Sequence, residues 1–371
     1  MTLFWLGVGI VFYYVVLYVI TKTFLRILSI KRQYLWRSLL LIIESIPAFC
    51  IIDYMHRGNP FICLMSVLGY IIAAFLLYFL IAFALLAIIL PLLSVCLNKK
   101  YATKVFSKFS LWFCSGISIA VLILGSVFAV FPTVTQTTVF APIDRDFKII
   151  VLSDIHYGST GSVVSLKRMV EQVNCLQPDL IILAGDVLDQ HVELLSKETF
   201  TSAMNTLDAT YGVVAVTGNH EFATNTLEQI IDFYDQTSVR LLLDEQLVIA
   251  DRIRLVGRID DHDPENRRKP LKDYVEDSIL PLLVVDHQPQ YFKEAKEIGA
   301  FLQLSGHTHN GQIFPGNWIL SIYNRLLYDS PSNGMHTYDD FTLAISRGYG
   351  TWGFPFRLTG ASEILEIILK A

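Results

Sequence analysis

The sequence predicts an α/β fold: a layered strand-and-helix domain over residues 132–371, preceded over residues 1–131 by an all-α transmembrane region of about four helices. Three observations lead there. The chain is 53% hydrophobic with a mean hydropathy of +0.47, too apolar for 371 residues that are wholly water-soluble, and the apolar excess lies before about residue 132. The charge divides at the same place. Residues 1–131 hold 10 basic and 2 acidic side chains, a net of +8, while residues 132–371 hold 19 and 32, a net of −13; the total of −5 hides the split. In the second half short apolar runs alternate with helical patterns, as in a layered α/β core.

Four apolar stretches stand out, roughly 3–20, 39–54, 61–97 (a helix at about 64–96) and 110–131. A spanning helix takes about 20 apolar residues. The first, third and fourth are long enough, whereas the second carries Glu44 and Pro47. Glu44 reads as a residue near a helix end or facing its neighbours. The opening stretch has neither a basic leading region nor a small-residue cleavage site, so it is expected to be an anchor and not a removed signal peptide. Lys22, Arg26, Lys31, Arg32 and Arg37 follow the first stretch, and Lys99, Lys100, Lys104 and Lys108 precede the last. Basic loops stay cytoplasmic. Both loops share a side only if 39–54 crosses, which places everything after residue 131 on the extracytoplasmic face of the cell membrane, in a multi-pass protein. With three spans this inference fails.

Four of the five cysteines (Cys50, Cys63, Cys96, Cys114) lie in apolar segments and Cys175 is alone in the polar half, so neither a metal-binding pair nor a disulfide framework is readable. The acidic second half argues against a nucleic-acid partner, since that binding rests on Lys and Arg.

Along that half, Thr133 to Phe140 alternates and is rich in Thr and Val, an opening strand. Lys148 to Leu152 is a buried strand followed by Ser153-Asp154-Ile155-His156, and a helical pattern runs on through about Cys175. Asp179 to Leu183 is a second such strand, ending in Ala184-Gly185-Asp186; helix is expected from about Val192 to Leu207. Gly212 to Val216 ends in Thr217-Gly218-Asn219-His220-Glu221, with a helix over Leu227 to Tyr234. Shorter strands at Gln246–Ala250 and Ile253–Val256 lead to Gly257-Arg258-Ile259-Asp260-Asp261 and a charged insert through Asp277. Leu282 to Val285 ends in Asp286-His287, and Phe301 to Leu304 runs into Gly306-His307-Thr308-His309. A glycine- and aromatic-rich stretch from Arg347 to Phe354 precedes a closing strand or short helix, Glu363 to Leu369.

Five apolar strands thus end in Asp, His or Asn, and in open α/β sheets ligands gather beyond the carboxyl ends of the strands. Asp154, His156, Asp186, Asn219, His220, His287, His307 and His309 can therefore converge. Each has an ordinary reading alone: a strand-end cap for Asp154 and His156, an N-cap for Asp186, a turn residue for His287 before Gln288-Pro289. Their recurrence at successive strand ends favours a metal, for which imidazole is the commonest protein ligand.

As a set, Asp-x-His, Gly-Asp, Gly-Asn-His-Glu, a later His and Gly-His-Thr-His resembles the calcineurin-like metallophosphoesterase superfamily over about residues 145–365. Gly257-Arg258-Ile259-Asp260-Asp261, the His287-Gln288-Pro289 turn and the Arg347 glycine stretch resemble its membrane-attached bacterial branch, which includes proteins likened to UDP-2,3-diacylglucosamine pyrophosphohydrolase. The resemblance implies a four-layer α-β-β-α sandwich of two mixed sheets and a centre of two divalent metal ions. Asp154, His156 and His309 would hold the first ion, Asn219, His287 and His307 the second, and Asp186 would bridge both. Asn310 stands where the family commonly has glycine.

The chemistry is consistent with these residue types. Two divalent ions clamp an anionic phosphate and stabilise the attacking and leaving oxygens, and one carboxylate can bridge two ions through its two oxygens. Imidazole and oxygen ligands without thiolate favour Mn, Fe or Zn. A hydroxide made at the metals is the expected nucleophile, and His220 is placed to stabilise or protonate the leaving oxygen. Arg258, Arg347 and Arg357 are candidates to grip substrate phosphate, with ion pairing the equal alternative. His191, His262 and His336 match no ligand position and read as exposed polar residues. Trp318, Trp352, Phe354 and Phe356 read as core or membrane-edge aromatics. The expected function is hydrolysis of a phosphoester or pyrophosphate bond in a phosphate-containing substrate, lipid-linked because the tether keeps the site near the bilayer. The rival readings are a metal-binding sensor domain signalling through the helices, and a hydrolase accessory to a transporter.

Overall fold

The computed structural model describes residues 59–97, 107–159, 164–273, 275 and 278–371, with a few isolated positions before 59. The stretches expected to span at 3–20 and 39–54 lie outside the described residues, those isolated positions apart. Among the elements described, two helices come first, α1 (Pro60–Cys96) and α2 (Lys108–Val130), both long and apolar enough to cross a membrane. Asn59 starts α1 by accepting the backbone N–H groups of Phe61 and Ile62 at 3.0 and 3.3 Å, a side-chain N-cap. Its 37 residues carry no charge, which suits a helix surrounded by hydrocarbon and not by water.

The chain divides into two compact units, Met1–Leu124 and Gly125–Ala371. The last residues of α2 thus belong to the second unit, where its backbone acceptors find partners. Gly125 accepts from the Arg357 N–H at 3.0 Å, Phe128 from the Ser362 N–H at 2.9 Å, and Val130 from the Arg168 guanidinium at 3.0 Å.

The second unit is built on two six-stranded mixed sheets. The strands of the first are β1 (Thr133–Phe140), β2 (Phe147–Leu152), β3 (Leu180–Ala184), β4 (Val213–Val216), β5 (Val239–Leu241) and the last strand of the chain, β12 (Glu363–Lys370). Their spatial order is β1-β12-β2-β3-β4-β5, all parallel neighbours except β12 and β2. The second sheet takes β6 (Glu245–Ile249), β7 (Ile253–Gly257), β8 (Leu282–Val285), β9 (Leu302–Ser305), β10 (Gly334–Tyr338) and β11 (Phe341–Ile345), in the order β10-β11-β9-β8-β7-β6. Its inner strands are parallel and its edges antiparallel.

Strand periodicity sorts the side chains into layers. Ile149 and Val151 of β2 join Leu255, Leu283 and Leu304 in a core between the sheets. Ile150 and Leu152, one step along, face the other way into a core with Met169 of α3 (Leu166–Cys175), Phe200 of α4 (Lys197–Thr206) and Phe233 of α6 (Leu227–Tyr234), α5 (Asn219–Thr224) lying between the last two in the chain. On the far side of the second sheet, Val256, Val284 and Leu343 pack on Phe292 and Ala295 of α7 (Phe292–Glu297). The helix expected over Val192 to Leu207 is split: a short 3-10 turn, Val192–Leu194, ends where Ser196 caps a new helix by accepting the Thr199 N–H. The closing segment resolves as a strand because it pairs on both sides, with β1 and β2. A helix with no counterpart in the sequence reading, α8 (Gly316–Leu327), follows the paired histidines.

Candidate metal centre

The parallel strands β2, β3 and β4 of one sheet and β8 and β9 of the other deliver their following residues to one place. The backbone is turned sharply there. Asp154, His156, Asp186, His307 and His309 all have φ between 48° and 70°, the left-handed region that L-residues avoid. Such strain costs of the order of 1 kcal/mol per residue and persists where the surroundings impose it. The imposing bonds are visible: the Asp154 N–H donates to Gly185 O at 3.0 Å, the His156 N–H to Asp186 O at 2.9 Å, and the His307 N–H to both Asp154 carboxylate oxygens at 3.1 Å. At Gly306 a side chain would collide with Ser153 and Asp154, and at Gly218 with Asp186, so both loops need glycine to close on the centre.

The side chains converge. Ligand atoms of Asp154, His156 and His309 lie within 4.8 Å of one another, as do those of Asp186, His287 and His307. Nε2 of His156 and Nε2 of His309 are 2.8 Å apart, and the second stands 3.3 Å from Asp154 Oδ1. Asp186 Oδ2 stands 3.1 Å from His287 Nε2 and 3.8 Å from His156 Nε2, so its carboxylate touches both groups. Asn219 Oδ1 is 2.9 Å from His307 Nδ1. All seven expected ligands are therefore together, with His220 beside them: its N–H donates to Asp186 Oδ1 at 2.8 Å.

The donor set fits divalent ions. His287 Nδ1 donates to the Ala184 carbonyl at 2.8 Å, which turns Nε2 toward Asp186, the arrangement that orients a ligand imidazole. His309 Nδ1 is buried without a hydrogen-bond partner among the described residues. Burial, then the charge of His287, lowers His307 to about 4, and burial with His156 and Arg357 holds His309 well below its usual range. Both imidazoles are thus neutral and offer lone pairs, the form a metal requires. His287 behaves oppositely. Burial works against its proton, but Asp186 outweighs burial and raises it well above the ordinary value.

Two acids that the sequence reading left without a role complete the centre. Asp189, three residues beyond Asp186, accepts from His220 Nδ1 at 2.6 Å and lies 3.2 Å from His156 Nδ1. Burial favours its protonated form, but His156 and His220 outweigh it and hold Asp189 well below the usual carboxylate range. Glu221 is buried and accepts four backbone N–H groups, from Asp186, Val187, Leu188 and Gly218, at 2.6–3.1 Å. It ties the β3 loop to the β4 loop; burial, then Asp186, raises its pKa to about 7. The spacing Asp186-x-x-Asp189 and the acid closing Gly-Asn-His-Glu were the available signals.

The three arginines, candidates for substrate phosphate or for ion pairing, are engaged within the fold. Arg258 is 1% exposed, with Glu294 at 3.0 Å, Asp244 at 3.4 Å and the Lys269 carbonyl at 2.7 Å. Arg347 pairs with Glu363 at 2.9 Å and Thr135 at 3.2 Å. Neither lines the cavity of about 650 Å³ that contains His307 and His309. Arg357 is fully buried behind the centre, donating to the carbonyls of His309, Gly350 and Arg347. His262 does line the cavity, as do Trp352 and Phe354; Trp352 meets the His220 ring edge-on at 5.4 Å. Phe356 is buried and Trp318 exposed.

Residues 147–311 match the family model described as calcineurin-like phosphoesterase. An uncharacterized metallophosphoesterase of Helicobacter pylori is 31% identical over 248 residues, covering 64% of each chain. A bovine protein named transmembrane protein with metallophosphoesterase domain is 30% identical over 262 residues, 63% of this chain and 57% of its own. The chain therefore spans less than two thirds of the length of these curated relatives. Among solved structures, a 5'-nucleotidase precursor of Thermus thermophilus aligns with a TM-score of 0.35 at 15% identity, over 61% of this chain and 54% of that one.

Proposed function

We propose that this chain, which carries a calcineurin-like metallophosphoesterase domain, is a membrane-associated phosphohydrolase that breaks a phosphoester or pyrophosphate bond at two divalent metal ions. The observation that supports this best is the position of Asp186, whose carboxylate reaches both ligand groups. Asp154, His156 and His309 would hold one ion and Asn219, His287 and His307 the other, with Asp186 placed to serve either. Mn, Fe or Zn suits this set. The bound ions would supply an acidified water and Lewis-acid stabilisation of the phosphoryl oxygens.

The chain's own groups do the remainder. Asp189 is ionised, so His220 Nδ1–H donates to it. That bond fixes the ring and leaves Nε2 to hand a proton to the leaving oxygen. Trp352 packs against the ring and restricts its rotation. Glu221 holds the loops bearing Asp186 and Asn219 at a constant separation.

Membrane association rests on the two apolar helices and on the relative named as a transmembrane protein. The multi-pass topology and the extracytoplasmic side follow from the basic loops if 39–54 crosses. Cys175 is exposed, so in a variant retaining it as the sole cysteine a membrane-impermeant maleimide should label it on intact cells; labelling only after lysis would reverse the side.

The enzymatic reading is tested by purifying the full chain, measuring its metal content and assaying a generic aryl phosphodiester with Mn. The expected result is two equivalents of metal and turnover that Asp186→Asn and His220→Ala abolish. Metal retained without turnover of any phosphoester would favour the sensor reading.

A further inference from the structure

Helix α8 presents its apolar side outward. Trp318, Ile322 and Leu326 recur every fourth residue, and Ile319, Tyr323 and Leu327 follow one place on, so six large side chains form one continuous stripe. They are 49–76% exposed, while the one residue of this helix that is buried is Asn324. A domain in water turns such a stripe to its core, and a contiguous exposed patch of this kind marks a partner.

Three further observations identify the partner. First, α8 starts from the metal loop: Gly311, two residues after His309, packs so closely on Asn317 that a side chain there would collide. Second, Ile319 and Tyr323 line the same cavity as His307 and His309. Third, the loop entering α8 is linked to the apolar helix α2 through residues 357 and 358. Gln312 O accepts the Leu358 N–H at 2.7 Å, and the adjacent Arg357 N–H donates to Gly125 of α2 at 3.0 Å. The charge agrees: α8 carries Arg325 and no acid, in a half of the chain whose net charge is −13. An anionic lipid surface is therefore not repelled by it.

We infer that α8 is the specificity element of the site, and that the substrate is a phosphate ester bearing a long hydrocarbon chain. Its phosphate sits at the ligand cluster, its chain lies along Ile319 and Tyr323, and the rest of the stripe, Trp318, Ile322, Leu326 and Leu327, rests in the lipid surface from which the substrate is drawn. This rests on the phosphohydrolase reading and adds where the lipid is recognised. Trp318 and Tyr323 are the amphipathic aromatics that favour such an interface.

The test uses the full chain loaded with Mn and a series of alkyl 4-nitrophenyl phosphodiesters, from methyl to dodecyl, each below its aggregation concentration. The scissile bond and leaving group are constant, so chain length reports binding. The expected kcat/KM rises at least about tenfold from methyl to dodecyl, and Ile319→Ser and Tyr323→Ser flatten the dodecyl-to-methyl ratio whatever their absolute rates. Hydrolysis of the methyl ester with a ratio near unity overturns this inference and leaves the phosphohydrolase standing. Hydrolysis of none of the series sinks the phosphohydrolase reading itself. In that event dodecylphosphonate and methylphosphonate are compared by quenching of the Trp318 fluorescence, taken as the difference from Trp318→Phe: preferential dodecyl binding supports the hydrocarbon site and equal binding removes it. A dimer dispersed by Leu326→Arg, with a flat ratio, would assign α8 to a second copy of the chain.

Discussion

The carboxylate of Asp189 lies 2.6 Å from Nδ1 of His220, and its other oxygen lies 3.2 Å from Nδ1 of His156. One acid therefore orients the proposed proton donor and lies against a proposed metal ligand. Asp189→Asn should lower kcat roughly a hundredfold, since a misassigned tautomer removes most of the benefit of a general acid. KM and metal content should change much less. Steady-state kinetics with elemental analysis checks this, and a kcat within about twofold of the parent would take Asp189 out of the proton path.

Arg357 makes a separate prediction. Its guanidinium is fully buried and satisfies the carbonyls of His309, Gly350 and Arg347. Burial lowers its pKa to about 10 even though Asp154 and Glu363 pull the other way. Arg357→Met takes the donor from the carbonyls of Gly350 and Arg347, at about 1–3 kcal/mol each if neither relaxes, while the His309 carbonyl keeps the Gln312 N–H at 2.9 Å. Thermal unfolding in detergent should show a loss of several degrees, with His309 loosened and metal affinity reduced. An unchanged melting temperature would mean water replaces the guanidinium without cost.

Chelation should destabilise the parent more than Asp186→Asn. An ion at a hundred times its Kd stabilises the folded form by about 2.7 kcal/mol. Differential scanning with and without chelator, then with Mn restored, should give a reversible shift in the parent and little in the variant. Equal shifts would place the bound metal away from Asp186.

His262 predicts a pH dependence. Its hydrogen bond to Asp260 at 3.0 Å, opposed in part by burial, raises its pKa from 6.5 to about 9. A raised pKa means the folded state holds the proton more tightly. The stabilisation is complete below pH 6.5 and is lost as pH rises through about 9. With the side chain 57% exposed, solvent screening holds the effect under about 1 kcal/mol. NMR titration of the ring should give the raised value, and His262→Ala should flatten the stability profile over that window. A ring titrating near 6.5 would break the link to Asp260.

The local patterns were readable in residue order. Ile149 to Leu152 is apolar on both faces, so a buried parallel strand could be recognised, and Asp154 and His156 could be placed at its end. The same holds for Leu180 to Ala184 with Asp186, and for Leu302 to Ser305 with His307 and His309. One feature misled: Val192 to Leu207 has the composition of one helix, but the cap at Ser196 starts a new one. Arg258 follows a strand end, where phosphate grip and ion pairing were both open, and Glu294 and Asp244 enclose it.

By itself, then, the sequence determined most of the strands, β5, β10 and β11 excepted, with the residues at their ends and the apolar first half, because periodicity and hydropathy are set by near neighbours in the chain. Tertiary structure alone decided that Asp189 reaches His220, that Glu221 gathers four N–H groups from two loops, and that α8 keeps its apolar stripe outward. Those outcomes depend on which strands lie side by side and on how far each loop turns back, and distances between residues far apart in the chain are fixed only when the two sheets pack.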